Sequence, residues 1–135
     1  MSLRNNSIIA VDFDGTIVTD KYPKIGNPQL FAFETMKKLQ EHGHRLILWT
    51  VRSGIQLEEA VQFCKKNGIE FYAVNKNYTE EITDDHTPRK INADIFIDDR
   101  NIGGFIGWGK VHQLLFEEKE QLKEKPKGFF SFFKK

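Results

Sequence analysis

Short apolar runs recur along this chain, and each gives way to a polar or glycine-bearing turn. Ser7 to Phe13, centred on Ile8-Ile9-Ala10-Val11, predicts a buried first strand. Gly15 closes it, because glycine turns without steric cost. Thr16 to Gly26 mixes β-branched residues with Asp20, Lys21 and Pro23, and predicts a loop or a small hairpin. Asn27-Pro28 has the form of a helix start, Asn27 as N-cap and Pro28 at the first helical position. Leu30, Phe33, Met36 and Leu39 then recur at helical spacing, and Gly43 is the expected left-handed stop.

The second half repeats the alternation. Arg45 to Trp49 predicts a second strand, and its unbroken Leu46-Ile47-Leu48-Trp49 suits a strand covered on both faces. Thr50 to Gly54 turns into a helix from about Ile55 to Asn67, with Leu57, Ala60, Val61 and Cys64 on its inner face and Gly68 as its stop. Ile69 to Val74 is a third strand and Ala93 to Ile97 a fourth. The polar stretch Asn75 to Arg89 between them is long for a loop, and such loops are often functional. Asn101 to Gly109 is rich in glycine but does not form a nucleotide-binding pattern in the right context. Val111 to Lys125 predicts a last amphipathic helix, with Val111, Leu114, Leu115, Phe116 and Leu122 near its apolar side.

Strands alternating with helices predict an α/β fold: a three-layer, Rossmann-like parallel sheet of about four or five strands flanked by helices. At 135 residues the chain suggests one domain, residues 1–125, followed by a Phe/Lys-rich tail, 126–135. That tail suits packing or a subunit contact better than anchoring to a membrane. Lys+Arg 20 against Asp+Glu 19 gives a net charge of +1, so no strong field points to a stable nucleic-acid or membrane partner. The single cysteine, Cys64, cannot form an internal disulfide, and no run reaches the ~20 apolar residues of a membrane span. Both features, with no signal-peptide pattern at the start, suit the cytoplasm.

Charge matters locally. In parallel sheets ligands bind beyond the carboxyl ends of the strands. Three of the predicted strands end in polar chemistry: Asp12 and Asp14, then Thr50 and Arg52, then Asp98 and Asp99. Each pair alone suits an ordinary turn, and His42, His44 and His86 suit solvated or helix-end positions. Together the strand ends suggest a carboxylate nucleophile beside an acid–base carboxylate. Two unit charges ~4 Å apart repel by about 1 kcal/mol in water and about 4 at an effective dielectric near 20. Four carboxylates at one edge therefore imply a cation, and an oxygen-only set favours Mg²⁺ over zinc. Thr50 can donate to a phosphate oxygen and Lys90 can place an ammonium beside it, as a phosphoryl-transfer site needs.

Those residues make the sequence resemble the haloacid dehalogenase-like hydrolases over about residues 7 to 100. Asp12-Phe13-Asp14-Gly15-Thr16 matches the first motif of that family, Thr50 after Leu48-Trp49 the second, Lys90 the third and Asp98-Asp99 the fourth. Lys76 is a competitor for the third. The resemblance implies that Asp12 attacks phosphorus and that Asp14 serves as acid and then as base. It implies Mg²⁺ at Asp12, the backbone carbonyl of Asp14, Asp98 and Asp99, the last bound directly or through water. Thr50 and Lys90 would hold the phosphoryl oxygens, with Arg52 as a further substrate contact outside the family core.

Neither Thr16 to Gly26 nor Val51 to Arg89 leaves room for a cap domain, so the chain resembles a small capless member. An open site suits a phosphorylated macromolecule, while a cap borrowed within a homo-oligomer would suit a small molecule. The expectation is a Mg²⁺-dependent phosphomonoester phosphatase. The alternative is a catalytically weak or receiver-like phospho-acceptor module acting through a partner.

Overall fold

The computed structural model describes residues 6–117. Its elements are β1 (Ile8–Val11), α1 (Ala32–Glu41), β2 (Arg45–Leu48), α2 (Gly54–Lys66), β3 (Ala73–Val74), β4 (Ile95–Ile97) and α3 (Trp108–His112). A π-helical turn, Gln113–Glu117, continues α3. The four strands form one parallel sheet in the order β3-β2-β1-β4, an α/β fold with no cap domain among the described residues. No helix among them is long and apolar enough to cross a membrane.

Side-chain alternation divides the sheet into two faces. Ile9, Val11, Leu46 and Leu48 join the larger apolar cluster, together with Met36 and Leu39 of α1, Ala60 and Cys64 of α2, and Trp108 and Val111 of α3. Ala10, Ile47 and Ala73 belong to a smaller cluster whose remaining buried member is Ile91. All three helices therefore cover one face, and the irregular chain leading into β4 supplies the cover of the other. The layer expected to be helical on that side is a loop among the described residues. Cys64 is a buried core residue, and burial pushes its thiol up to about 12.

The apolar runs form strands, trimmed at their ends. Ile69 is buried, but only Ala73 and Val74 of the third run pair. The inner face of α2 is as expected, and Gly43 and Gly68 end α1 and α2 at φ 86° and 88°. The start of α1 differs. Pro28 lies in an antiparallel bridge with Val18, Asn27 accepts from the Thr19 N–H, and Gln29 donates to Ile17. Asn27-Pro28 is thus the second arm of a short flap, extended as a proline without an N–H permits. The helix begins four residues later, after Phe31 at φ 67°. Leu30 is exposed instead of lying on the inner face. At the other end, α3 starts at Trp108, inside the expected glycine-rich loop. The expected helix beyond Glu117 and the tail 126–135 lie outside the described residues.

Candidate active site at the carboxyl edge of the sheet

The sheet order brings the strand ends together. β2 and β3 lie on one side of β1 and β4 on the other, so the direction of winding switches between β1 and β4. A crevice opens at such a switch point. Val11 is in register with Leu48 on one side and Ile97 on the other. The Asp12 N–H donates to the Ile97 carbonyl at 3.0 Å, and the Trp49 N–H to the Val11 carbonyl at 2.9 Å. Asp12, Trp49 and Asp98 therefore leave the sheet side by side. A cleft of about 270 Å³ forms there, lined by Asp12, Asp14, Asp20, Thr50, Asp98 and Arg100, with Trp49 and Val51 on its wall.

Local turns hold each side chain. The Thr16 hydroxyl donates to Asp12 Oδ2 at 3.2 Å. Asp98 Oδ1 accepts the Arg100 N–H at 2.9 Å, and the Asp98 carbonyl accepts Asn101 Nδ2 at 2.6 Å. The Thr50 N–H donates to Asn75 Oδ1 at 2.8 Å, which ties the end of β2 to the end of β3. The Thr50 hydroxyl accepts the Arg52 N–H at 3.1 Å.

Asp12, Asp98 and Asp99 each offer a carboxylate oxygen, and these atoms lie within 4.8 Å of one another. Burial, a hydrogen bond with Asp99 and the Asp98 charge push the Asp12 carboxyl up to about 8. Asp99 Oδ1 is buried with no hydrogen-bond partner. An orphaned carboxylate oxygen beside two other carboxylates has the chemistry of a hard-cation site, so these residues fit Mg²⁺. The Asp14 carboxylate is outside this group.

Two expected phosphate contacts lie elsewhere. Arg52 is buried, and all five of its N–H groups are used. Nε donates to Asp14 Oδ2 at 2.7 Å and Nη2 to Asp14 Oδ1 at 2.8 Å. The other Nη2 hydrogen goes to the Lys24 carbonyl, and Nη1 serves the carbonyls of Pro23 and Gln56. A guanidinium has five donors, so none is left for a phosphate. The hydrogen bonds to Asp14 push its pKa further up. Lys90 is exposed with its ammonium over the Phe96 ring, 5.2 Å from the centroid, and does not line the cleft. The alternative lysine, Lys76, does not line it either, and His86 is exposed on its loop.

Arg100 and Asn75 are the residues that the strand-end reading passed over. Arg100 had a signal, since it follows Asp98-Asp99 directly. Asn75 follows β3, and only the pairing of β2 with β3 makes its side chain a partner for Thr50.

No protein-family model matches the chain, and no curated protein matches it. A solved structure, that of a conserved protein from Bacteroides thetaiotaomicron, superposes on it with a TM-score of 0.78 at 51% sequence identity. The match covers 89% of this chain and 97% of that one. The chain therefore belongs to the same family as that conserved Bacteroides protein.

Proposed function

We propose that this protein is a Mg²⁺-dependent phosphatase of the haloacid dehalogenase-like type, hydrolysing a phosphomonoester through an aspartyl-phosphate on Asp12. The observation that carries the reading is the convergence of Asp12, Asp14, Thr50 and Asp98 in one cleft at the switch point of a parallel sheet. Surface decoration does not explain it, because the strands leading into those residues are buried.

The chemistry follows from the donor set. An Asp12 oxygen attacks phosphorus, and the bond from phosphorus to the ester oxygen breaks. Asp14 gives its proton to that leaving oxygen. Asp14 then takes a proton from water, the water oxygen attacks phosphorus, and the bond to Asp12 breaks. Inorganic phosphate leaves and both carboxyl groups return to their starting states. Thr50 donates a hydrogen bond to the phosphoryl group. Mg²⁺ held by Asp12, Asp98 and Asp99 would neutralise charge on the carboxylates and on the phosphoryl group. Asp12, otherwise held up to about 8, would then be ionised at neutral pH as a nucleophile must be. The substrate is a phosphorylated small molecule or macromolecule.

One observation favours a second reading. Both Asp14 oxygens are engaged by Arg52, as in a module that keeps a phosphorylated Asp12 without hydrolysing it. A single experiment tests both. Hydrolysis of an aryl phosphate is followed with Mg²⁺, with EDTA, and in Asp12→Asn. Metal-dependent turnover lost in the variant is expected, and full activity in chelator or in the variant would refute the phosphatase. Phosphate trapped on Asp12 for minutes without turnover would favour the phospho-acceptor.

A further inference from the structure

Arg52 connects more of the site than any other side chain described. Its guanidinium grips Asp14 with two parallel hydrogen bonds, a geometry that fixes orientation as well as distance. Two further hydrogen bonds hold the Pro23 and Lys24 carbonyls of the flap, and a third holds Gln56 at the start of α2. The guanidinium carbon also lies 5.1 Å from the centroids of both the Phe13 and the Tyr22 rings, one ring from each side of the turn. The three carbonyls and two rings anchor the arginine, and the counter-charge that a buried guanidinium needs comes from the carboxyl group that the proposed reaction uses as its acid and base.

We infer that Arg52 is a positioning residue that aims the Asp14 carboxyl at the leaving-group oxygen and couples that aim to the flap of residues 17–29. The inference rests on the phosphatase reading and replaces the role of direct phosphate contact for Arg52. Asp14 retains two lone pairs facing away from the fork, because a carboxylate has about four acceptor sites and Arg52 takes two. That side is the one left to exchange a proton with the ester oxygen. Without the fork the carboxyl rotates about its own side-chain bonds, and the proton is delivered from a spread of positions.

A misaimed acid hurts most where the leaving group needs its proton. The test compares Arg52→Lys with wild type on two substrates in saturating Mg²⁺: an alkyl phosphate, whose leaving alkoxide must be protonated, and a nitrophenyl phosphate, whose leaving phenolate need not be. General-acid assistance is worth about 10²–10⁴-fold, so kcat/KM on the alkyl phosphate, which reports the steps up to loss of the leaving group, is expected to fall about 100-fold or more. On the nitrophenyl ester the loss of kcat/KM is expected to stay within about threefold, since the acid is dispensable in that ester's first step and the second step, where Asp14 is the base for both esters, does not enter kcat/KM. In an Asp14→Asn background, Arg52→Lys is expected to add nothing to the loss on the alkyl ester, because the two residues act as one unit.

Equal losses of kcat/KM on both esters would overturn the inference and leave Arg52 as a support of the fold. A raised KM with kcat retained would overturn it in favour of phosphate binding. Failure of wild type to release phosphate from either ester would remove the phosphatase reading and this inference with it. Should Arg52→Lys not fold, the Arg52 Nε–H NMR signal of wild type decides. Protection from exchange that persists with Mg²⁺ and vanadate supports the clamp, and exchange at the solvent rate overturns it.

Discussion

Gly15 and Asp99 are packed so closely that residue 15 has no room for a side chain: a Cβ there would overlap the Asp99 carboxylate. Gly15 also sits at φ 84°, a conformation that costs other residues about 1–2 kcal/mol. The turn that ends β1 and the last acidic residue of the carboxylate cluster are therefore shaped to each other.

Gly15→Ala is expected to act on the cation site more than on the fold. The new methyl must displace the Asp99 carboxylate from Asp12 and Asp98, since the turn itself is held by the Gly15 N–H bonded to the Val18 carbonyl at 2.8 Å. The variant should lack the rise in melting temperature that Mg²⁺ is expected to give wild type. An undiminished rise would show that Asp99 takes no part in holding the ion.

Asp12 makes stability depend on pH. Its value of about 8 lies above the ordinary 3.8, so the folded chain keeps a proton that the unfolded chain releases above about pH 4. This stabilising contribution is complete below about pH 4 and is lost as pH rises through about 8. Metal-free protein should therefore melt at lower temperature at pH 8 than at pH 5, and Asp12→Asn should reduce that difference. On the proposed function Mg²⁺ should reverse the loss, because it would bind the ionised carboxylates. At a hundredfold excess over Kd it adds about 2.7 kcal/mol, roughly 10 °C for a domain of this size. Melting curves at the two pH values, with and without Mg²⁺, check this. A wild-type profile as flat as that of Asp12→Asn would remove the argument.

Trp108 and Thr16 are 92 residues apart and joined by a buried hydrogen bond, Trp108 Nε1 donating to the Thr16 carbonyl at 2.7 Å. Trp108→Phe removes the donor, leaves that carbonyl unsatisfied and opens a small void. The expected cost is about 2–4 kcal/mol. Urea unfolding measures it directly, and a change below about 0.5 kcal/mol would show that the bond does not hold α3 to the first turn.

Much of this was legible in the chain because it is local. Apolar runs that give way to Asp12, Thr50 and Asp98 mark strands whose polar ends lie at one edge of a parallel sheet, whichever way the strands are ordered. The inner face of α2 follows from spacing alone. The start of α1 was not legible, because Asn27-Pro28 suits a helix cap and a flap arm equally. A cap is worth about 1 kcal/mol, which hydrogen bonds to Ile17 and Thr19 outweigh. Arg52 misled for a similar reason. Its place beside Thr50 in sequence suggests a phosphate ligand, whereas its five partners lie on residues 14, 23, 24 and 56.

The sequence by itself determined which polar residues end the strands, because a glycine or a polar residue ending an apolar strand is a property of a few adjacent positions. Only the tertiary structure decided which of them meet. β4 pairs with β1 and not with β3, so Asp98 emerges beside Asp12. Arg52 turns to Asp14, and Lys90 to Phe96. Strand order and the direction of a long side chain depend on contacts between distant segments, and local patterns do not encode those contacts.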